Sequence, residues 1–519
     1  MIKIRKHILL GMLLAGLPTL LHAQVEVRTE AQVSTSSGSH EPLWLNANKY
    51  GLSSLDKTNG YLRAGAFHSL EADSLRRWAI GYGADAAVAK GFTSTVIIQQ
   101  AYADVRWLKG LLTVGSKEQP MELKNQELSS GAQTLGINAR PVPSIRLSLP
   151  DYWTVPFTRG WLGMKGHVAY GMQTDDGWQR DFTHEPFKRT EHAKIHTKAG
   201  YLRIGKEGKP VSVELGLEMA CQYGGTTYTI NPYPEVPGTT EYVGIKNQDG
   251  MKGMFKALIP GGGDAGEGLY DNMAGNHLGS YLARINMDFP KWYLALYADH
   301  FFDDHSQMFF LDYDGYGQGE EFNEWKDSRW LIYDLKDIML GAELRLKDFP
   351  WLNNIVVEYI YTKYQSGPVY HDRTYHLSDH IAGRDDYYNN YMQTGWQHWG
   401  QVMGNPLYRS PLYNDSQKIA VENNRFWAWH VGFSGNLHQQ MHYRLLATWQ
   451  RGWGTYDNPL PDPERNMSLL AEADYSFSQE SALKGWGVRA AFGLDHGGLL
   501  GNNTGIQFTI HHHFNIQKP

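Results

Sequence analysis

Pairs of acidic residues are the first feature of the chain that could do chemistry. They occur at Asp175-Asp176, Asp303-Asp304, Glu320-Glu321 and Asp385-Asp386. Hydrolysis of a glycosidic bond needs two carboxylates at a defined separation across the bond, which adjacency alone does not establish. We therefore interpret these pairs as solvated loop charge. The chain has no Gly-x-Ser-x-Gly and no His-Glu-x-x-His pattern, and we predict that it is not an enzyme.

Histidine and cysteine come next, because both bind metals. The run His511-His512-His513 lies on an alternating segment, where the middle side chain points away from its neighbours, so a three-histidine site is not expected. Cys221 is the single cysteine, which excludes an internal disulfide and a cysteine-based metal site. The Gly-rich residues 260–268 lack the Lys-Ser/Thr of a phosphate-binding loop. We expect neither a metal nor a cofactor.

Residues 366–424, rich in aromatic and polar side chains, are the strongest candidate for a binding site. Aromatic rings stack on the apolar faces of sugars while amides and carboxylates bond hydroxyl groups, and an exposed cluster of this kind usually marks binding. An aromatic girdle with ordinary loop packing is the alternative, and the residues alone leave both interpretations open. The candidate carbohydrate-binding residues are Tyr387, Tyr388, Trp396, Trp399, Arg384, Asp386 and Asn389.

The segments that must position such a loop alternate with a period of two. Alternating apolar and polar residues predict strands over 211–221, 338–347, 486–495 and 506–516. Soluble sandwiches also alternate, but these strands are about ten residues long, which is the length that crosses a bilayer at a tilt. Weaker signals extend the count, with both chain ends at one edge. The sequence predicts an all-β fold, a transmembrane antiparallel β-barrel of about 18 strands.

Loop lengths favour the same fold. From residue 196 onward, short turns alternate with longer connections, of which the longest are 223–278, 303–337 and 366–424. Short turns at one edge and long loops at the other are typical of outer-membrane barrels, with the long loops outside the cell. A medium-length loop is predicted at 454–465. Loops on a rigid scaffold commonly carry binding function, so the long-loop edge is where we expect the site.

The first residues indicate export. Lys3, Arg5 and Lys6 precede an apolar run that ends near Ala23, so residues 1–23 are predicted to be a cleaved signal peptide. No other stretch is apolar for the roughly 18 residues that a spanning helix needs. The chain carries 48 Lys+Arg against 54 Asp+Glu, a net charge of −6, and losing those three basic residues makes it −9. This balance provides no basic patch for nucleic acid.

Short segments along most of residues 24–519 resemble the Wzi family of outer-membrane proteins that assemble capsule, especially its branch in Bacteroides-like bacteria. They include Asn138-Ala139-Arg140-Pro141, Asp175-Asp176-Gly177-Trp178-Gln179, Asp386-Tyr387-Tyr388-Asn389-Asn390 and Gly404-Asn405-Pro406-Leu407. The resemblance implies an eighteen-strand barrel and a lectin-like role in which outer loops hold capsular polysaccharide. The N-terminal helical bundle of enterobacterial members has no obvious counterpart here. Residues 117–135 are instead a candidate short helix that folds inward as a plug.

Residues and resemblance together favour a non-enzymatic outer-membrane protein, with periplasmic termini and extracellular loops, that assembles or retains capsular or exopolysaccharide on the cell surface. The expected partners are that polysaccharide and outer-membrane lipid, with polysaccharide-export machinery as a further candidate and no nucleic acid. A porin-like diffusion channel is the first alternative, because charged residues on the lumen face would permit one. A surface enzyme acting on glycan or lipid is the second.

Overall fold

The computed structural model describes residues 25–70, 77–184, 187–231, 240–259, 275–303, 315–316, 319–326, 337–371, 375 and 380–516. The proposed signal peptide, residues 1–23, lies outside the described residues. Much of the predicted loop 303–337 does as well.

Eighteen strands form one closed antiparallel barrel in the described part of the chain, which confirms the predicted fold class. Closure is made by β1 and β18, with Val25 opposite Ile516 and Ser37 opposite Thr504. The strands are β1 (Val25–Ser37), β2 (Thr58–His68), β3 (Trp78–Lys90), β4 (Val96–Trp107), β5 (Gly110–Ser116), β6 (Ser144–Thr154), β7 (Leu162–Met172), β8 (Lys194–Ile204), β9 (Val211–Tyr223), β10 (Asn276–Asp288), β11 (Trp292–Asp303), β12 (Ile338–Leu346), β13 (Asn354–Tyr361), β14 (Phe426–His438), β15 (Met441–Gly454), β16 (Pro459–Ser476), β17 (Trp486–Gly497) and β18 (Asn503–Ile516).

The two faces of each strand meet different surroundings. In β18 the apolar side chains of Ile506 and Phe508 are 58% and 45% exposed, whereas Gln507 and Thr509, which point the other way, are 5% and 1% exposed. Outward apolar and inward polar side chains are the pattern of a barrel whose outer wall meets lipid. The chain is therefore a transmembrane β-barrel. Among the described residues, no helix is long and apolar enough to cross a membrane.

Connections at the two ends of the barrel differ in length. At one end, the short-turn side, strands are joined by turns such as 108–109, 289–291 and 439–440, and β1 begins and β18 ends there. At the other, the long-loop side, the longest connections are 224–275, 304–337 and 362–425. The predicted loop 454–465 is wrong: only 455–458 connect β15 to β16. The extra strand residues carry polar side chains such as Asp462 and Glu464, so no apolar face marks them as strand.

Several short elements lie within the connections. The helices are α1 (Leu43–Asn46), α2 (Trp178–Phe182) and α3 (Gly250–Leu258), with 3-10 turns at Gly319–Glu321, Pro350–Leu352 and Pro411–Tyr413. The short strands are Arg189–Glu191, Thr226–Ile230, Tyr242–Lys246, Gly315–Tyr316, Trp325–Lys326, Ser366–His371, His380–Arg384, Gln397–His398 and Gln401–Val402.

Residues 38–57, 117–143 and 385–425, the last of these being part of the 362–425 connection, turn back into the barrel, and we call them the lumen insert. Trp44, Leu128 and Tyr388 of the insert belong to one buried hydrophobic cluster with Phe301 and Val356, which point inward from the barrel wall. This cluster is the largest apolar core in the described part of the molecule. The interior of the barrel is thus packed with side chains of its own loops.

Residues 117–135 lie in the lumen, but the described backbone forms turns there and not the predicted helix. The side chain of Asn125 accepts hydrogen bonds from the backbone N–H of Glu127 (3.0 Å) and Leu128 (2.8 Å). Gln126 bonds both backbone groups of Met121, accepting at 2.9 Å and donating at 2.6 Å. Such side-chain bonds give the backbone an alternative to helical hydrogen bonding.

Candidate functional site

Glu358 of β13 fastens the 117–143 part of the lumen insert to the barrel wall. Its fully buried carboxylate accepts hydrogen bonds from Ser129 Oγ (2.6 Å), from Ser130 N (2.8 Å) and Oγ (2.5 Å), and from the Tyr297 hydroxyl (2.6 Å). A buried carboxylate needs several such donors to replace its water. Lys124 adds a buried ion pair to Asp299, with 3.1 Å between Nζ and Oδ2.

The 385–425 part of the lumen insert packs on the 117–143 part. The Tyr388 ring stacks on Tyr408 with ring centres 4.0 Å apart. Its hydroxyl donates to the carbonyl of Gln133 and accepts from the N–H of Asn405 at 2.9 Å. Trp396 donates its indole N–H to the carbonyl of Thr134 at 2.8 Å. These contacts make residues 385–425 a folded unit with its own core.

The four aromatic residues predicted to stack on sugar are therefore inside the protein. Tyr387 and Tyr388 are 0% exposed, Trp396 is 2% exposed and Trp399 is 9% exposed beneath the guanidinium of Arg140, 4.3 Å away. Stacking on a polysaccharide requires an open ring face, which Tyr387, Tyr388 and Trp396 lack in this structure. Their clustering in sequence instead reflects packing within the lumen insert.

The three polar candidates, Asp386, Asn389 and Arg384, lie in different surroundings. Asp386 and Asn389 line a cavity at the long-loop side. The amide of Asn389 is committed to the loop: it donates to the carbonyl of Val421 (2.9 Å) and to Asp386 (3.0 Å), and its oxygen accepts from the N–H of Val421 (2.8 Å). Arg384 ends the short strand His380–Arg384, whose side chains are outside the described part of the structure. Asn389 thus shapes the cavity wall.

This cavity, which we call the rim cavity, has a volume of about 450 Å3. The residues that line it come from separate long-loop connections and include Lys188, Asp386, Gln393, Lys418, Glu422 and Asp457. Gln393 is 2% exposed and its carboxamide oxygen has no partner within the described structure. Carboxylates, ammonium groups and an amide oxygen in one concave wall are groups that can hydrogen-bond hydroxyl groups of a ligand. Apart from Asp386, the sequence patterns did not select these residues.

Burial changes the proton affinity of two groups in the rim cavity. Burial raises the pKa of Asp386, although hydrogen bonds from Asn389 and Asn424 oppose the shift. Burial, together with the positive charge of Lys418, lowers the pKa of Lys188 to about 8. The Lys188 ammonium donates to the backbone carbonyls of Asn390 and Tyr391. Both charged groups are therefore partly desolvated before any ligand arrives.

Trp399 belongs to a second long-loop cavity. This cavity, of about 360 Å3, is lined by Trp399, Trp178 and Asp175 together with hydroxyl residues of the 91–95 turn. The carboxylate of Asp175 accepts a hydrogen bond from the N–H of Gly177 at 3.1 Å. Trp396 lines a smaller cavity of about 150 Å3, whereas Trp399 lines this one at the long-loop side.

The histidine run follows the alternation of its strand. His511 reaches Asp474, with 3.3 Å between Nε2 and Oδ1, while His512 stacks on Trp486 with ring centres 4.5 Å apart. The two imidazoles thus contact different partners on opposite faces of β18, as expected from the pleat.

Glu41, in the 38–57 connection, should make stability depend on pH. Burial raises its pKa from 4.5 to about 7. Its contribution to the free energy of unfolding is therefore fully present below pH 4.5 and is lost as pH rises to about 7, a difference of about 3 kcal/mol. We expect Glu41→Gln to remove this component. In thermal unfolding in detergent, the stability of the variant relative to the wild type should rise between these two pH values and should stay constant above pH 7. A difference that stays flat throughout, as for exposed Glu480→Gln, would contradict the assignment.

Comparison with known proteins gives similarity at the level of fold. No family profile and no curated protein matches the chain. Among solved structures, the chain is similar to the outer membrane protein OprD from Pseudomonas aeruginosa, with 9% identity, coverage of 96% of this chain and 94% of that chain, and a TM-score of 0.44. It is also similar to Acinetobacter baumannii OccAB4 (10%, 96%, 99% and 0.42) and to a loop-deletion mutant of OmpT, an outer membrane protein of Vibrio cholerae (8%, 95%, 100% and 0.34).

Identities and TM-scores this low give no information about ligand or activity. The comparisons do not reach the Wzi family, and the resemblance to it rests on the sequence segments. The class of the chain follows from its own fold: it is a transmembrane β-barrel of eighteen antiparallel strands in the described residues.

Proposed function

We propose that the protein retains or assembles polysaccharide at the cell surface, as the Wzi resemblance implies, by binding sugar in the rim cavity. The observation that carries this proposal is the rim cavity itself, a polar concavity at the long-loop side whose walls are fixed by folded loops. In this proposal the long-loop side faces the cell exterior and the strand ends of β1 and β18 face the periplasm. The lumen insert is the rigid floor that holds the cavity walls in place.

The chemistry of the rim cavity suits a hydroxyl-rich polymer. Carboxylates accept hydrogen bonds from sugar hydroxyls and amides both accept and donate them, and each contact is weak. A polymer with many repeats gains strength because several barrels in one membrane engage it together. The cavity holds both signs of charge, since Lys188 and Lys418 face the carboxylates of Asp386 and Asp457. Charge attraction alone would therefore not bind an acidic polysaccharide in the rim cavity.

Substitution in the rim cavity tests the proposal. We expect Asp457→Ala combined with Lys418→Ala to weaken binding of purified surface polysaccharide about tenfold, since each removes a hydrogen-bonding group worth roughly 0.5–1.5 kcal/mol. Binding is measured with the purified barrel immobilised in nanodiscs. Asp415→Ala is the matched control, because Asp415 is an exposed residue of the same loop outside the rim-cavity wall. Equal binding by the wild type and the double variant would remove the rim cavity from the function.

In cells, the same variant distinguishes retention from synthesis. We expect polysaccharide to move from the cell surface to the medium while the total stays constant. An unchanged cell-attached fraction would contradict a role in retention.

A diffusion channel is the second candidate, and charged side chains inside the barrel favour it. They form ion pairs that include Arg63–Asp85 (2.5 Å), Lys117–Asp104 (2.5 Å) and Arg489–Asp474 (2.8 Å). A charged, polar lumen is a feature of barrels that pass solutes. Conductance in planar bilayers separates the two candidates: a steady open current from the wild type would favour the channel, and silence would favour a closed barrel.

A further inference from the structure

Helix α3 lies on the outer wall of the barrel. It packs Ala257 and Met254 against Cys221 and Tyr223 of β9. Those two residues share a strand face with Val211 and Leu215, which are exposed on the outside, whereas the alternate residues Glu218 and Gln222 form hydrogen bonds inside. The 224–275 connection thus places this helix against the wall that elsewhere meets lipid.

Specific contacts hold α3 in that position. The Tyr170 hydroxyl donates to the carbonyl of Met254 at 3.1 Å. The ammonium of Lys198, which points outward from β8, donates to the carbonyl of Leu258 in the last turn of the helix. At the other end Asp249 accepts from the N–H of Gly250 at 2.6 Å and forms an ion pair with Lys194. The helix is therefore docked at both ends.

The opposite face of α3 is apolar, and none of the described residues covers it. Met251 is 81% exposed and Phe255 is 61% exposed, and Ile259, directly after the helix, is 53% exposed. Spaced four residues apart, these side chains lie on one side of the helix. Lys252 and Lys256 lie next to them on the helical surface. An apolar stripe bordered by lysines is the composition of helices that lie in a membrane interface.

The level of α3 along the barrel agrees with such a position. Its partners Cys221 and Lys198 lie near the long-loop ends of their strands, since β9 ends at Tyr223 and β8 begins at Lys194. Below them, Val168 and Leu202 continue the exposed outward apolar wall. The apolar stripe of α3 thus continues the exposed apolar outer surface of the barrel at its long-loop end.

We propose that α3 is an interfacial membrane anchor on the long-loop side. Its Met251–Phe255–Ile259 stripe enters the acyl boundary of the leaflet, and Lys252 and Lys256 bind lipid phosphate groups. The anchor fixes the 224–275 connection to the membrane surface beside the barrel. The occupant is lipid, because the stripe extends a lipid-facing wall and its flanking charges complement anionic headgroups. The inference rests on the transmembrane barrel and is independent of what the rim cavity binds.

Spin labels at two positions of α3 test this. The full-length protein carrying Phe255→Cys or Lys252→Cys is labelled with a nitroxide and placed in vesicles of phosphatidylcholine mixed with phosphatidylglycerol. Cys221 is buried, so the wild type should take up no label. We expect the label at position 255 to collide more with oxygen, which concentrates in lipid, than with a water-soluble nickel chelate. The label at position 252 should collide less with oxygen and more with the nickel chelate than the label at position 255.

Two controls calibrate the scale. A label at Leu202→Cys reports the lipid-facing wall, and one at Glu207→Cys reports the exposed short turn after β8. A label at position 255 as accessible to the chelate as that at 207 would overturn the proposal, because the stripe would then face water. Protection from both reagents would also overturn it, because protein would then cover the stripe.

Discussion

Replacing Glu358 with alanine is expected to free the 117–143 part of the lumen insert and to turn a closed barrel into a conducting one. The carboxylate is fully buried and accepts four hydrogen bonds, three of them from Ser129 and Ser130. Removing it leaves these donors without a partner in a dry interior. Because each unsatisfied buried donor costs about 1–3 kcal/mol, we expect the insert to lose about 3–5 kcal/mol of local stability.

Two measurements check this result. Hydrogen exchange of the amides near Leu128 should quicken, and current through single barrels in planar bilayers should appear or become noisy. Glu358→Gln keeps the size and one acceptor oxygen, so its effect should be intermediate. Glu480→Ala, in an exposed short turn, should leave both readouts unchanged. A Glu358→Ala barrel with native exchange and no current would show that other contacts, such as Lys124–Asp299, suffice to hold the insert.

Conduction by the variant would also bear on the proposed function. If the wild type is silent and only the loosened barrel conducts, closure is a property of the lumen insert and the channel candidate loses its support. If the wild type already conducts and Glu358→Ala merely widens the current, the insert is a constriction. The polysaccharide proposal would then have to rest on the rim cavity alone.

The barrel could be predicted from sequence because each strand is exposed to two different environments. In β18, the apolar residues Ile506, Phe508 and Ile510 lie on the face toward lipid. Gln507 and Thr509 lie on the face toward the polar interior. The first residues of β16 show no such alternation, so the sequence predicts a loop there. Strand pairing then follows from chain order, since neighbouring strands are joined by turns.

The lumen insert could not be predicted in the same way. Its side chains find partners far away in sequence, as when Trp396 bonds Thr134 and Tyr388 bonds Gln133. Aromatic and polar residues in a long loop have the same composition whether they face solvent or one another. The sequence therefore indicates a segment that contributes to the rim cavity, but it does not distinguish aromatic residues that contact a ligand from those that hold the loops together. Residues such as Lys188 and Asp457 come from other connections and carry no local signal.

Tyr388→Ala is expected to abolish the order of the rim-cavity wall, although the ring does not line the rim cavity itself. The side chain is fully buried, stacks on Tyr408 and approaches Phe301 edge-on with ring centres 5.4 Å apart. Its backbone has a φ of 69°, an unusual conformation for a bulky residue that the surrounding contacts must impose. Emptying such a site costs about 3–5 kcal/mol, whereas Tyr388→Phe loses only the hydroxyl contacts, worth about 1–2 kcal/mol.

Binding and order should therefore be lost together in Tyr388→Ala. Asp386 and Asn389 line the rim cavity and are close to Tyr388 in the chain, so disorder at Tyr388 should displace them. We therefore expect polysaccharide binding to weaken about tenfold or more, with faster amide exchange over residues 386–390. Tyr391→Ala is the matched control: Tyr391 is 64% exposed in the same loop, and its removal should leave the exchange unchanged. Loss of binding in Tyr388→Ala with native exchange would mean that the ring contacts sugar after all. That result would require the lumen insert to open before the polymer binds, since nothing else would bring a buried ring to the surface.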